Sequence, residues 1–280
     1  MKKPSAPSSP RRPLYAAALA AAALLLWLLA QPRPGLRIAR LDPALAPAEG
    51  TPAPAAPDRL RVATYNLEHF TDGRHDGPER TPAVFMTHAR DAAAIIAEAD
   101  PDILVLQEVE NARALEYLND QLPKPYGWIH VSRLRHSSGE REKLNLALLS
   151  RYPPYRARQL GFYNLAGLGR PARGALAAEF DLGAGARLEV YGIHLKSNFG
   201  EAPKNRAQRA IALHHIAADA VSETLRNDPA PTVAVILGDT NVDPDSPAFA
   251  DDPSLDPLAG GYVDLWRGRP LAERTTIPTR

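Results

Sequence analysis

Four apolar runs in this sequence end on residues that can bind a hard cation or handle a proton. They are Asn66 in ATYNLEHF, Glu108 in DILVLQEVEN, His194 in EVYGIHLKSN, and Asp239, with Asn241 two places on, in VAVILGDTN. A polar side chain placed where a buried strand emerges is held rigidly and meets solvent at one rim. A single case ordinarily marks the start of a loop; four together, all of these types, point to a site. The 280 residues include no cysteine, which removes disulfides, thiolate metal ligands and a thiol nucleophile at once. Any metal must therefore sit among oxygen and imidazole ligands. Magnesium takes oxygen ligands and keeps several waters, so one carboxylate, one amide oxygen and a substrate phosphate suffice; Glu108 and Asn66 can supply the protein's share. Phosphodiester hydrolysis also needs a positioned water, a base for its proton and groups that stabilise charge at phosphorus. Asp239, Asn241 and His194 are of the types that fill those roles.

Rigid presentation requires regular elements behind the rim. Apolar and β-branched runs predict strands at 60–66, 103–109, 144–150, 175–181, 188–194 and 232–239. Helical spacing covers 84–99, 112–122 and 204–225, the last with Ala210, Leu213, Ala217, Ala220 and Thr224 on one stripe, and Pro101 and Pro229 follow two of these segments as stops. The order begins strand, helix, strand and then becomes strand-rich. That disfavours one parallel sheet and suits an α/β fold built as a two-sheet β-sandwich flanked by helices.

The N-terminus reads differently. Lys2, Lys3, Arg11 and Arg12 precede an unbroken apolar run from Leu14 to Ala30, so residues 1–30 are expected to be a signal peptide or membrane anchor that takes the rest out of the cytoplasm. Residues 31–57 are rich in Pro and Ala and are expected to form a tether, with one folded domain over 58–280. Residues 1–57 hold seven Lys/Arg against two Asp/Glu, leaving 26 against 30 in the domain, a formal −4 although the whole chain is +1. Sequence-blind attraction to nucleic acid is not what such a domain advertises.

The motifs TYNLE (Thr64–Glu68), LQEVE (Leu106–Glu110), LLSRYP (Leu148–Pro153), HLKSN (His194–Asn198) and LGDTN (Leu237–Asn241), in that order, resemble the endonuclease/exonuclease/phosphatase superfamily. That superfamily includes pancreatic-type deoxyribonucleases, apurinic-site endonucleases, sphingomyelinases and inositol polyphosphate phosphatases. The resemblance implies a two-sheet sandwich and a Mg²⁺ (or Mn²⁺) cofactor held by Glu108, with the Asn66 amide beside it. It implies that Asp239 orients or deprotonates the attacking water, that Asn241 holds a phosphate oxygen or that water, and that His194 serves as acid or transition-state donor. Arg173, Lys196 and Asn198 are expected to touch substrate, and Asp264 in GYVDLWR to support the family's final catalytic histidine. No histidine follows His215, so the expectation is a sequence that stops before the last core strand, or a relative in which that role is unfilled. His194 within HLKSN is similar to the nuclease branch, which makes an exported nuclease acting on a phosphodiester substrate, nucleic acid included, the leading expectation. A lipid or inositol phosphate phosphoesterase at the membrane and a non-catalytic phosphate-binding module are the alternatives; no protein partner is implied. Glu68 is expected just behind the rim or as a solvated loop residue, and His214 and His215 as structural.

Overall fold

The structure, a computed structural model, describes residues 36–270 and Glu273, with gaps at 53, 56–58, 75–79, 137, 166 and 168. The signal or anchor expected over residues 1–30 lies outside the described residues. Among those described, no helix is long and apolar enough to cross a membrane. The elements run β1 (Arg37–Arg40), β2 (Val62–Phe70), α1 (Pro82–Ala99), β3 (Ile103–Val109), α2 (Ala112–Asp120), β4 (Trp128–Val131), β5 (Asn145–Ser150), β6 (Arg156–Gly161), β7 (Ala175–Gly183), β8 (Ala186–His194), α3 (Ala202–Arg226) and β9 (Thr232–Asp239), then short 3-10 turns at Pro247–Phe249 and Pro253–Leu258.

The strands form a five-stranded sheet, β1-β6-β7-β8-β9, and a four-stranded sheet, β2-β3-β5-β4. Pairing is antiparallel except for β2–β3 and β8–β9, which are parallel. Alternation along the strands builds the layers. In β3, Ile103 and Val105 face the opposite sheet and share a core with Leu146, Leu148, Leu176, Ala178, Leu188 and Val190. Leu104 and Leu106 face outward, beneath Ala89, Ala92 and Ile96 of α1 and Leu115 and Leu118 of α2. Burial on both faces explains why β3 reads as a continuous apolar run. Beyond the five-stranded sheet, Ala177, Tyr191 and Ile193 lie against Ala212, Leu213, Ile216 and Ala220 of α3.

Helix ends follow their residues. The Thr81 hydroxyl accepts from Val84 N–H ahead of Pro82 in the first turn of α1, and Asp100, at φ 41°, ends that helix before Pro101. The Asn111 side chain caps α2 through Ala114 N–H at 2.9 Å.

Part of the expected tether belongs to the sheet. Arg37–Arg40 pairs antiparallel with Arg158–Gly161, and Leu41 is buried in the intersheet core. The boundary expected at Asp58 is corrected accordingly: prolines and alanines around a four-residue edge strand hid its alternation. Among the described residues no strand follows β9, which forms one edge of its sheet with only partly buried residues.

At the end of β9 the backbone of Gly238 adopts φ 142°, and a Cβ there would lie 2.0 Å from the Ile193 carbonyl oxygen of β8. Only glycine permits that approach. Gly238→Ala is expected to cost roughly 2–4 kcal/mol, from steric overlap and backbone strain together. Urea denaturation would show the loss as a lower midpoint, and a midpoint unchanged from wild type would contradict this account of the turn into Asp239.

Candidate active site at the sheet edges

The two parallel pairs bring their carboxyl ends to the same place. β2 and β9, edge strands of different sheets, pack against each other, and β3 also touches β9. Asn66, Glu108, His194 and Asp239 therefore meet at one rim. The Asn66 amide nitrogen donates to Glu108 Oε1 at 3.2 Å and to Asp239 Oδ2 at 3.0 Å. His194 Nε2 stands 3.6 Å from the same Glu108 oxygen and 3.8 Å from the same Asp239 oxygen. His194 and Asp239 are the last paired residues of the β8–β9 ladder, which fixes their separation through the backbone.

Local backbone strain aims these groups. Pairing between β2 and β3 shifts register between Asn66 and Phe70, and that between β3 and β5 shifts between Leu106 and Val109. Within those bulges Glu68, His69 and Glu108 take φ values of 49°, 55° and 63°, and Asn241 takes 55° just beyond β9. Left-handed backbone at non-glycine residues is costly and persists where surrounding contacts hold it. For Glu108 the holding contacts are His69 N–H to Oε2 at 2.8 Å and the His69 ring at 3.4 Å from that oxygen. For Asn241 they are its N–H to Asp239 Oδ1 at 2.9 Å and its amide nitrogen to the Leu195 carbonyl at 3.2 Å.

His194 is almost fully buried, and its Nδ1 finds no hydrogen-bond partner in the protein. Burial, followed by the positive charge of Arg173, pushes its pKa down to about 4 despite the two carboxylates nearby. Near neutral pH it is an uncharged imidazole, and with acceptors facing Nε2 the proton belongs on that nitrogen.

Other expected residues are placed differently. The Asn66 amide oxygen accepts from Glu68 N–H at 2.9 Å, so it is the amide nitrogen, not the oxygen, that faces the carboxylates. Asn66 stands between Glu108 and Asp239 and is bonded to both. Of Glu68 and His69, the residue that reaches Glu108 is His69. Lys196 folds back onto Ser197 O, Ser197 Oγ and Phe199 O at 3.0, 3.2 and 2.7 Å, using its three N–H donors within its own loop. Asn198 braces that loop, donating to Asn241 O at 2.9 Å and accepting from Arg209 Nη1 at 3.0 Å. Arg173 pairs with Glu142 at 3.5 Å while its charge is felt at His194 and Lys196. Asp264 stands exposed on the segment after the second 3-10 turn and accepts from Trp266 N–H at 2.9 Å.

Arg209 escaped sequence reading. It is 1% exposed, and besides Asn198 it binds Lys196 O, Ser254 Oγ and Asp252 Oδ2 at 3.0, 2.8 and 2.7 Å. A charged residue on the buried stripe of α3, between Asn205 and Leu213, was the available signal.

Two carboxylates that meet at one rim, partly open to solvent and with no thiolate, are oxygen donors of the kind a hard divalent cation takes. A second acidic cluster, Glu179, Glu189 and Glu223, brings three carboxylates together elsewhere. Arg156, Arg158, Arg187 and Arg226 interleave with it, which makes it ionic stitching between the sheet and α3. Burial pushes Glu189 up to about 7 against the attraction of Arg158. The folded state thus keeps a proton that the unfolded chain has released, and stability falls as pH rises from the ordinary carboxylate range through about 7. Glu189→Gln should flatten this dependence, so that the mutant loses less Tm than wild type between about pH 5 and about pH 8. Parallel Tm–pH curves would rule the effect out.

Comparison with known proteins follows the same lines. The chain matches the Endonuclease/Exonuclease/phosphatase family over residues 63–280. No curated protein matches it. Among solved structures, sphingomyelinase C from Streptomyces griseocarneus is 22% identical with a TM-score of 0.52, covering 74% of this chain and 70% of that one. A β-hairpin deletion mutant of beta toxin from Staphylococcus aureus is 19% identical with a TM-score of 0.50, covering 71% and 72%. TDP2 from C. elegans is 24% identical with a TM-score of 0.47, covering 66% of this chain; the chain spans 48% of that protein, about half its length. With the fold shared and the family matched across both parallel strand pairs that build the rim, this chain belongs to the Endonuclease/Exonuclease/phosphatase family.

Proposed function

We propose that the rim hydrolyses phosphodiesters with a divalent cation, Mg²⁺ or Mn²⁺, at Glu108, that the domain works outside the cytoplasm, and that its substrate is nucleic acid. The observation that carries this reading is the meeting of Glu108 and Asp239 on the Asn66 amide nitrogen, with His194 Nε2 facing both carboxylates. When bound, the cation supplies Lewis-acid polarisation of a phosphoryl oxygen and acidifies a water. The protein's own groups do the rest. Glu108, with one oxygen fixed by His69 N–H, presents the other toward the site. Asp239, held by Asn66 and by Asn241 N–H, keeps a fixed carboxylate for orienting the attacking water and accepting its proton. Neutral His194 donates Nε2–H to a phosphoryl oxygen as charge builds there. A lipid phosphodiester is the second reading, favoured by the apolar run from Leu14 to Ala30, which would hold the domain at a bilayer.

The test is hydrolysis of single- and double-stranded DNA, RNA and phosphatidylcholine vesicles, each in Mg²⁺ and in chelator. Chelator-sensitive cleavage of nucleic acid supports the proposal; cleavage of the vesicles alone transfers it to lipid; chelator-resistant cleavage removes the cation from it. His194→Ala should lower kcat roughly 10²–10⁴-fold with KM little changed, because its contribution arises as charge develops. A change confined to KM would make His194 a binding residue.

A further inference from the structure

A cleft of about 280 Å³ opens beside the rim on the His69 side, lined by Glu68, His69, Thr71, Arg80, Val84, Phe85 and His88. It begins one residue from the reacting centre, since both the His69 N–H and the His69 ring contact Glu108. A phosphodiester seated at Glu108 and Asp239 has two substituents, and one directed past His69 enters this cleft.

The lining sets the kind of group that fits. Val84 is half exposed on the first turn of α1, and the Phe85 ring packs at a tilt against Phe70, centroids 5.3 Å apart, and Tyr117, 5.0 Å apart, so one wall is apolar and backed by aromatic rings. Among the described lining residues Glu68 and Arg80 are of opposite charge type, so that part of the lining carries no net charge. Arg80 also donates to His69 Nδ1, so its guanidinium is directed at an imidazole and not at the bottom of the cleft. His88, packed edge-on to Phe70, is held below the usual histidine range mainly by burial, and offers an uncharged imidazole. Thr71 adds a hydroxyl. The volume falls just below the roughly 300–1,000 Å³ of sites for drug-sized ligands, which is room for one ring-sized group and not for acyl chains.

We propose that this cleft is a specificity subsite that takes an uncharged, planar substituent with polar edges, a nucleobase or its nucleoside, from one side of the scissile phosphate. The proposal rests on the phosphodiesterase reading above and narrows its substrate. Stacking and edge contacts to one base are worth about tenfold in affinity or more.

The test compares four esters in Mg²⁺, each with an aliphatic leaving group: the thymidine 5′- and 3′-(trifluoroethyl phosphates), methyl trifluoroethyl phosphate and trifluoroethylphosphorylcholine. Wild type should favour one thymidine ester over the methyl ester by tenfold or more in kcat/KM, and the 5′/3′ difference tells which side enters the cleft. Val84→Trp fills the cleft from an exposed helical position, and Val84→Lys adds charge there as a second variant. Each should collapse the thymidine-to-methyl ratio toward one, chiefly through KM. Calorimetry of thymidine 5′-phosphate and thymidine 3′-phosphate binding runs beside the kinetics and is independent of turnover. A ratio near one in wild type, a ratio unmoved by both variants, or preference for the choline ester would overturn the subsite while leaving hydrolysis established. No turnover of any ester, with thymidine phosphate binding weakened tenfold by Val84→Trp, would overturn the hydrolase reading and support the subsite.

Discussion

Exchanging Glu108 for glutamine is expected to lower phosphodiester hydrolysis about 10³-fold or more, since the change removes charge at the centre of the site with little change in shape. Calorimetric Mn²⁺ binding should be lost with it, while the fold persists, because Asn66, His69 and the β3 ladder hold the backbone around that position. A companion comparison separates chemistry from strain. Glu108 sits at φ 63°, a conformation that costs a non-glycine residue about 1–2 kcal/mol. Glu108→Gly and Glu108→Ala should therefore be equally inactive, yet the glycine variant should unfold at the higher denaturant concentration. Retained activity or Mn²⁺ binding in the glutamine variant would dismiss Glu108 as the cation's carboxylate. A glycine variant less stable than the alanine one would dismiss the strain.

Replacing Arg209 by methionine should be the most damaging change away from the rim. The guanidinium reaches Lys196, Asn198, Asp252 and Ser254, and the Asp252 side chain is itself 1% exposed. Breaking a buried pair from one side leaves an uncompensated charge, at a cost of about 3–5 kcal/mol. Arg206, 3.5 Å from the same carboxylate, relieves only part of it. Because Asn198 links Arg209 to Asn241, and Asn241 to Asp239, turnover in whatever folds should fall too. Adding Asp252→Asn removes the orphaned charge and should recover part of the stability without restoring the rate. Equal stability of the single and double variants would show that the Asp252 charge was never the source of the loss.

The contrast between these residues shows what the sequence made legible. Glu108 and Asp239 end apolar runs, and the strands that carry them span the residues the pattern predicted, because both runs are packed against other layers and admit little else. Strand β6, RARQLG, went unread for the opposite reason. Its Arg158 is 2% exposed yet neutralised by Asp219 and Glu189 and bonded to Tyr191, and buried ion pairs look like surface in a hydropathy pattern. Strand β4 is four residues of WIHV with a buried histidine, and β1 is an exposed edge. Within the site, residue type singled out Asn66, Lys196 and Asn198 but not their orientation. Which end of an amide faces which partner is decided by groups far along the chain, such as Glu108 and Asp239 for Asn66 and Asn241 for Asn198.

The rim is a seam between two sheets, and this governs how it responds to change. Asn66 and Glu108 ride on one sheet, His194 and Asp239 on the other. Their spacing is therefore gauged in the core, where Gly192 lies against Val105 so closely that a Cβ would stand 2.7 Å from the valine methyl. A methyl group added or removed at that contact acts like a shim between two jaws: it alters the gap between Glu108 and Asp239 without touching either. Buried substitutions at this level should consequently retune reactivity from a distance, and sequence drift in the surrounding loops should matter less to the chemistry than drift in these few apolar contacts.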